Sequence, residues 1–341
     1  MASTDAPADP ADASWGPDLL GDDFESTTLD LEADAEGPVV ATLVRHRPGR
    51  LRHPLSPIGP ATGTDVLYLH GWSDYFFQGH LAEFWHSVGA RFYALDLRKY
   101  GRSLREHQTP GYITDFATYD EEIEAALTRM GHGRGGADRP FRRRLVVMGH
   151  STGGLIWSLW AARNPGRVNA VVLNSPWLEL QTGGAGRAFI APLVQLGARM
   201  QPLGNLPQID LGFYSRSISK LTGGDWSFNP LWRPERGFPA HRAWFGAVIA
   251  GQTLVQAGLA IDAPVLTLLS ARSTILLRWT EQMRTSDSVL VVDDIARQAT
   301  HLGPNLTVVR LEGAVHDIFL SHEAVREEAY RQLRRWLRGY L

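Results

Sequence analysis

Residues 144–157, RLVVMGHSTGGLIW, pass from a strand-forming run through a glycine-flanked serine straight into a stretch with helical character. Glycine weakens the interior of either element, so its clustering around Ser151 marks a turn too tight to admit a β-carbon. A strand that turns so sharply into a helix is half of a βα unit, and the rest of the chain repeats the alternation. VVATLV (39–44), VLYLHG (66–71), RFYALDL (91–97), VNAVVLN (168–174), PVLTLLS (264–270) and LTVVRLEG (306–313) are likewise short apolar runs that end on turn residues. Such runs read as buried strands.

Helical periods lie between several of them. Phe116, Tyr119, Ile123, Ala126, Leu127 and Met130 share one face, with Thr118 and Glu121 spaced as a capping box. Val325, Ala329, Leu333, Trp336 and Leu337 form another, with Ser321 as its expected N-cap. Strands with little internal alternation, separated by helices, predict a mostly parallel, doubly wound α/β sheet covered on both faces.

Residues 1–37 carry many acids and no Lys or Arg, and are expected to be an acidic leader, at least partly disordered, ahead of a domain spanning 38–341. From about 178 to 241 the alternation breaks. Gly, Pro and bulky apolar residues (Phe189, Phe213, Trp226, Phe228, Trp232, Phe238) replace it. An insertion there reads as a lid or cap over the carboxyl edge of the sheet, its aromatic residues forming a small core of its own. The glycine- and arginine-rich 131–144 follows a helix and precedes a strand, the reverse of a dinucleotide fingerprint, and reads as a surface loop.

The formal charge of -2 provides no general field for nucleic acid, and no such partner is expected. The chain contains no cysteine, which removes disulfides, zinc–thiolate sites and a cysteine nucleophile. The first residues lack a secretory signal, and no run approaches the ~18 to 20 apolar residues of a membrane span. A cytoplasmic location without stable membrane insertion is therefore expected.

Gly149-His150-Ser151-Thr152-Gly153 is G-x-S-x-G between a strand and a helix, the nucleophile elbow that presents a serine hydroxyl above a sheet. The helix starting near Thr152 directs free N–H groups at the space beside Ser151, where charge on an attacked carbonyl oxygen would collect. A hydroxyl needs a base, and in this arrangement the chain order is serine, acid, histidine. His316, in the loop after the last strand, has the right position; His150 is expected to face away from the serine. For the acid, Asp287 is preferred over Asp293 and Asp294, with Glu179 as a further location. His70-Gly71 turns the chain after an earlier strand, so the Trp72 and Thr152 amides are expected to form the oxyanion hole.

LHGW at 69–72, ALDLRKYGRS at 94–103, GHSTGG at 149–154 and EGAVHD at 312–317 together resemble the α/β-hydrolase superfamily. The resemblance is to its monoacylglycerol lipase, lysophospholipase and serine-aminopeptidase-like branch, and runs from about residue 39 to the C-terminus. It implies an acid in D-x-V-x-D-like text ahead of the histidine, which Asp287-Ser-Val matches in its first part. Here the stretch ARSTILLRWTEQMRTS (271–286) intervenes between strand and acid, and Val291 stands at the second acidic place. The resulting expectation is a serine hydrolase for carboxylic esters, a lipid-like monoester above all, needing no metal or cofactor. Its rivals are a peptidase or amidase of the same branch, whose substrate amine would call for acids such as Asp74, Asp225 or Glu179, and a non-catalytic ligand-binding protein. The sequence leaves the oligomeric state open.

Overall fold

The computed structural model describes residues 14–49, 57–134, 143–180, 197–206 and 210–341. Phe189, most of 181–200 in the expected lid and the middle of the loop 131–144 lie outside them. The described chain builds one nine-stranded sheet in the order β1-β2-β3-β5-β4-β6-β7-β8-β9. β1 (Gly16–Asp18), β2 (Gly21–Asp34) and β3 (Gly37–His46) are antiparallel neighbours, and β3 also meets β5 (Arg91–Asp96) antiparallel. From β5 onward through β4 (Thr64–Leu69), β6 (Arg144–His150), β7 (Ala170–Asn174), β8 (Val265–Ser270) and β9 (Leu306–Leu311), every pairing is parallel.

The central strands are buried on both faces, which is why their sequences run apolar without alternation. In β6, Leu145 and Val147 enter one core with α2 (Asp120–Arg129), α3 (Thr152–Arg163) and the helix Arg242–Ala257, whereas Val146 and Met148 enter a second core. That second core lies under α1 (Gly79–Ser87) and the C-terminal helix Glu323–Tyr340. Residues Thr152 to Ala161 of α3 are all buried, so over that length the helix is covered on every side, and only its last turn reaches solvent at Arg163.

The sequence of residues 14–37 hides two strands. β2 carries acids on its outward positions while Phe24 and Thr27 are buried, the pattern of a strand whose exposed face is charged. The acids near its turn also have a structural use: Asp34 and Glu36 each lie 2.6 Å from the buried Lys99 ammonium. The expected capping box does not form. Asp115, not Thr118, caps a 3-10 turn (Phe116–Tyr119) ahead of α2, because Glu121 instead accepts from the Glu32 amide at 2.6 Å and pairs with Arg98. Ser321 likewise serves the preceding loop, accepting from Val315 N at 3.0 Å, and His322 is the residue at the N-cap. Trp226, Phe228 and Trp232 pack on Tyr75, Phe77 and Tyr214 in a small third core under the insertion.

Asp65, at the start of β4, is fully buried and receives Arg91 Nη2 and Arg143 Nε at 2.6 Å and His132 Nε2 at 2.9 Å. Burial pushes its carboxyl up, but the hydrogen bonds from His132 and Arg91 and the two guanidinium charges outweigh it and bring it down to about 2. A depressed folded-state value stabilises above the unfolded value and is lost as pH falls through the folded one. Asp65→Asn is expected to lower unfolding free energy by about 2 kcal/mol at neutral pH, the difference from wild type shrinking below about pH 4. Urea melts across that range measure it.

Candidate active site

The β6–α3 junction sets Ser151 at φ 51°, ψ -115°. That conformation costs a residue with a β-carbon about 1–3 kcal/mol, and the neighbours enforce it. A β-carbon on Gly153 would stand 2.4 Å from the His70 carbonyl oxygen, and one on Gly149 2.5 Å from that of Gly153. Ser151 N donates to Asn174 O, and Trp177 N to Ser151 O, both at 3.0 Å. Thr152 opens α3, so its N–H has no carbonyl one turn earlier within the helix.

The loop after β4 lies against this turn. A β-carbon on Gly71 would be 3.1 Å from Ser151 Cβ. Leu97 N donates to His70 Nε2 at 3.1 Å, so Nε2 is the acceptor and the proton sits on Nδ1, which donates to Gly71 O at 2.8 Å. Burial lowers the pKa of this ring and keeps it neutral. With the Gly71 carbonyl held on the His70 side, the trans peptide turns the Trp72 N–H to the opposite side. The ALDLRKYGRS turn braces the same loop: Asp96 accepts from Phe76 N at 2.9 Å, and Arg102 bridges Asp96, Phe76 O and Asp18.

His316 follows β9 and lines the same cavity as Ser151. Its Nδ1 is 2.9 Å from Asp287 Oδ2, and both residues are buried. The other Asp287 oxygen accepts from Val289 N and Leu290 N, each at 2.8 Å, which fills the carboxylate without a cation. The remaining acids are engaged elsewhere. Asp293 pairs with Arg310 at 2.6 Å, Asp294 with Arg297, and Glu179 accepts from Leu180 N and Gln298 Nε2. The long stretch 271–286 still returns Asp287 to β8, because Ser273 bridges to it and Thr274 N donates to Asp287 O at 2.8 Å.

Two features escaped sequence reasoning. Asn174, at the end of β7, donates to Asp317 at 2.6 Å and accepts from Ile318 N at 3.1 Å, while Gln78 donates to Asp317 at 3.1 Å. This clamp fixes the chain directly after His316; the only sequence signal was the acid beside the histidine. His150, expected to face away, lines the cavity with its ring 4.8 Å from that of His316. Its Nδ1 meets Asn174 O at 3.2 Å, and burial lowers its pKa to about 4, so it presents a neutral ring.

The cavity above Ser151 holds about 310 Å³. One wall is aromatic: Trp72 lies 3.7 Å from Trp244 between ring centres, with Trp177 and Phe238 beyond them. The other is charged and comes partly from the insertion. Buried Arg233 lies 3.2 Å from Asp74, donates to Ser215 at 3.0 Å and covers the Tyr214 ring, which stands perpendicular to that of His316 with ring centres 5.3 Å apart. Burial lifts the Asp74 carboxyl to about 7 against the pull of Arg233, and lifts Asp210, also in the wall, above the ordinary range. Asp225 is not part of this wall; it pairs with His322 at 3.3 Å. Among the described residues no cluster of three or more His, Asp or Glu could hold a metal, and no helix is long and apolar enough to cross a membrane.

A family model described as serine aminopeptidase, S33 matches residues 62–322. A monoacylglycerol lipase from Mycolicibacterium smegmatis is 26% identical over 261 residues, covering 76% of this chain and 82% of that one. Among solved structures, the monoacylglycerol lipase of Paleococcus ferrophilus superposes with a TM-score of 0.58 at 20% identity, covering 83% of this chain and 97% of that one. A soluble variant of monoglyceride lipase from Saccharomyces cerevisiae gives 0.61 at 14% identity, covering 93% and 97%. At these identities the superpositions speak for the fold.

Proposed function

Because the chain belongs to the S33 serine aminopeptidase family of α/β hydrolases, we propose that it hydrolyses carboxylic esters through an acyl-enzyme on Ser151, with a lipid-like monoester of the monoacylglycerol or lysophospholipid type as substrate. His316 Nε2 takes the Ser151 proton as the hydroxyl attacks the carbonyl carbon. Asp287 fixes the Nδ1–H tautomer and balances the imidazolium that forms. The Trp72 and Thr152 amides receive the oxyanion. Collapse of the tetrahedral species breaks the ester bond, and His316 returns the proton to the departing alcohol. Water then attacks the acyl-enzyme by the same route, releasing the acid and restoring Ser151. No step calls for a metal or cofactor.

The single observation that carries this reading is the hydrogen bond between His316 Nδ1 and Asp287, buried at the wall of the cavity that Ser151 enters. The two-sided cavity supports the substrate class. Its aromatic wall adjoins the Trp72 end of the oxyanion site and suits an acyl chain. Its charged wall adjoins His316 through Tyr214, where the alcohol departs, and suits a hydroxyl-bearing head. Of Asp74, Asp225 and Glu179, only Asp74 lines the cavity, and Arg233 already faces it at 3.2 Å, which favours a neutral alcohol over an amine. The chemistry acts on a small-molecule ester and involves no nucleic acid; a cytoplasmic setting is part of the same proposal.

The test is turnover of p-nitrophenyl esters of increasing chain length, alongside labelling by a fluorophosphonate. The expected result is stoichiometric labelling of Ser151 and a kcat/KM that rises with acyl length until the aromatic wall is filled. Ligand binding with neither turnover nor labelling would replace the enzyme with a receptor, and preferred cleavage of aminoacyl amides would replace the esterase with a peptidase.

A further inference from the structure

Directly before Ser151 stands a second imidazole that the steps above leave unused. His150 closes β6, is buried, and lines the cavity together with Ser151 and His316. Its two nitrogens differ. Nδ1 meets the Asn174 carbonyl at 3.2 Å, and a carbonyl can only accept, so Nδ1 carries the one proton of the neutral ring. Nε2 is therefore a bare lone pair, and among the described residues no donor reaches it. The Asn174 contact holds the Nδ1 edge at the end of β7, and the opposite edge lies at the nucleophile turn. A β-carbon on Gly71 would stand 3.1 Å from His150 Cδ2, 3.5 Å from its Nε2 and 3.1 Å from Ser151 Cβ. That edge and Ser151 thus converge on one point of the loop after β4, where a glycine leaves room for both. The ring also packs against the proposed base, with 4.8 Å between the centres of His150 and His316. The acids in the same wall already have partners: Asp74 faces Arg233 at 3.2 Å, and Asp210 accepts from Gly212 N at 2.7 Å.

An acceptor in that place has a use in only one half of the cycle. During acylation the attacking Ser151 hydroxyl carries a single proton, which passes to His316. During hydrolysis of the acyl-enzyme the attacking water carries two. One passes to His316 Nε2 as the water oxygen bonds to the acyl carbon. The other stays on that oxygen and, in a largely dehydrated cavity, needs an acceptor of its own. We propose that His150 Nε2 accepts the second O–H of the attacking water and so aims its lone pair at the acyl carbon. No proton moves to His150. When the bond from the acyl carbon to Ser151 Oγ breaks, the second hydrogen leaves on the product acid, and His316 returns the first to Ser151. The proposal rests on the acyl-enzyme reading above and names the group that favours water over other nucleophiles at this step.

The full-length protein is mixed with p-nitrophenyl butyrate in water containing methanol. Free acid and methyl ester are quantified beside the initial burst of p-nitrophenol. Methanol has one O–H, so its attack gives that proton to His316 and asks nothing of His150. In His150→Phe, which keeps a ring and removes the lone pair, the ratio of methyl ester to acid is expected to rise about tenfold, the worth of one hydrogen bond, while the burst rate changes less than about threefold. His150→Leu, measured beside it, should do the same, so that a clash of the larger ring does not silence the test. His150→Gln, whose Oε1 can stand in for Nε2, should bring the ratio back toward that of wild type. The ratio is set within one active site and does not depend on how much of a variant folds. A role in packing alone would slow both products together and leave the ratio where it was, which overturns the proposal. A burst slowed as much as hydrolysis also overturns it, by moving His150 into acylation. Wild type that gives no burst and neither product removes the acyl-enzyme reading and this proposal with it. Wild type that gives both products, with an unmoved ratio in His150→Phe and His150→Leu, removes this proposal alone.

Discussion

Replacing Ser151 by alanine should lower kcat for a p-nitrophenyl ester on the order of 10⁴- to 10⁶-fold, with the melting temperature little changed. The change deletes one oxygen from a nearly buried site and leaves the backbone turn to the glycines and to the Asn174 and Trp177 hydrogen bonds that impose it. The residual rate would be that of the oxyanion amides and substrate binding acting alone. Stopped-flow and steady-state assays on the purified variant, with loss of fluorophosphonate labelling as a second readout, measure it. Activity within tenfold of wild type would move the nucleophile elsewhere.

Asp287→Asn carries the second-largest expected effect, a fall in kcat on the order of 10⁴-fold with KM little changed. An amide retains the shape but presents either a donor or a weaker acceptor to His316 Nδ1, so the imidazole is no longer held with its free lone pair toward Ser151. The carboxylate also accepts from two backbone amides at 2.8 Å, and the asparagine oxygen can still satisfy them, so the fold should survive. Asp293→Asn, Asp294→Asn and Glu179→Gln provide the contrast, because their partners are arginines, a glutamine and a backbone amide away from His316. Each should stay within tenfold of wild type. A larger loss in one of these three than in Asp287→Asn would reassign the acid.

The parts legible in the sequence were those whose local chemistry determines their form. Apolar runs buried on both faces announce central strands, and the serine turn needs glycines at fixed offsets that few other structures require. His316 was readable because it ends the last βα connection. Asp287 was harder: fifteen or so residues of insertion hide its return to β8, and only the bridge to Ser273 brings it back. β2 was hidden by its acids, which look like a solvated tail until Lys99 pairs with Asp34 and Glu36 and Glu121 takes the Glu32 main-chain amide, both from distant parts of the chain. The same holds for Asn174 and Gln78, whose value lies in reaching Asp317 across more than a hundred residues. Arg233 and Asp210 belong to an insertion with no repeating period, so nothing local marks them as cavity walls.

The pairing of Lys99 with the first hairpin has a practical corollary. Lys99 is 1% exposed, and the counter-ions in its two ion pairs come from Asp34 and Glu36. Truncating the polypeptide at Val39 on the strength of its acidic beginning would strand that ammonium in the interior and bare the main-chain amides along one side of β3. The half of the molecule that holds Ser151 would then carry a sticky flank, and any loss of solubility or turnover would be an artefact of trimming rather than a statement about that serine.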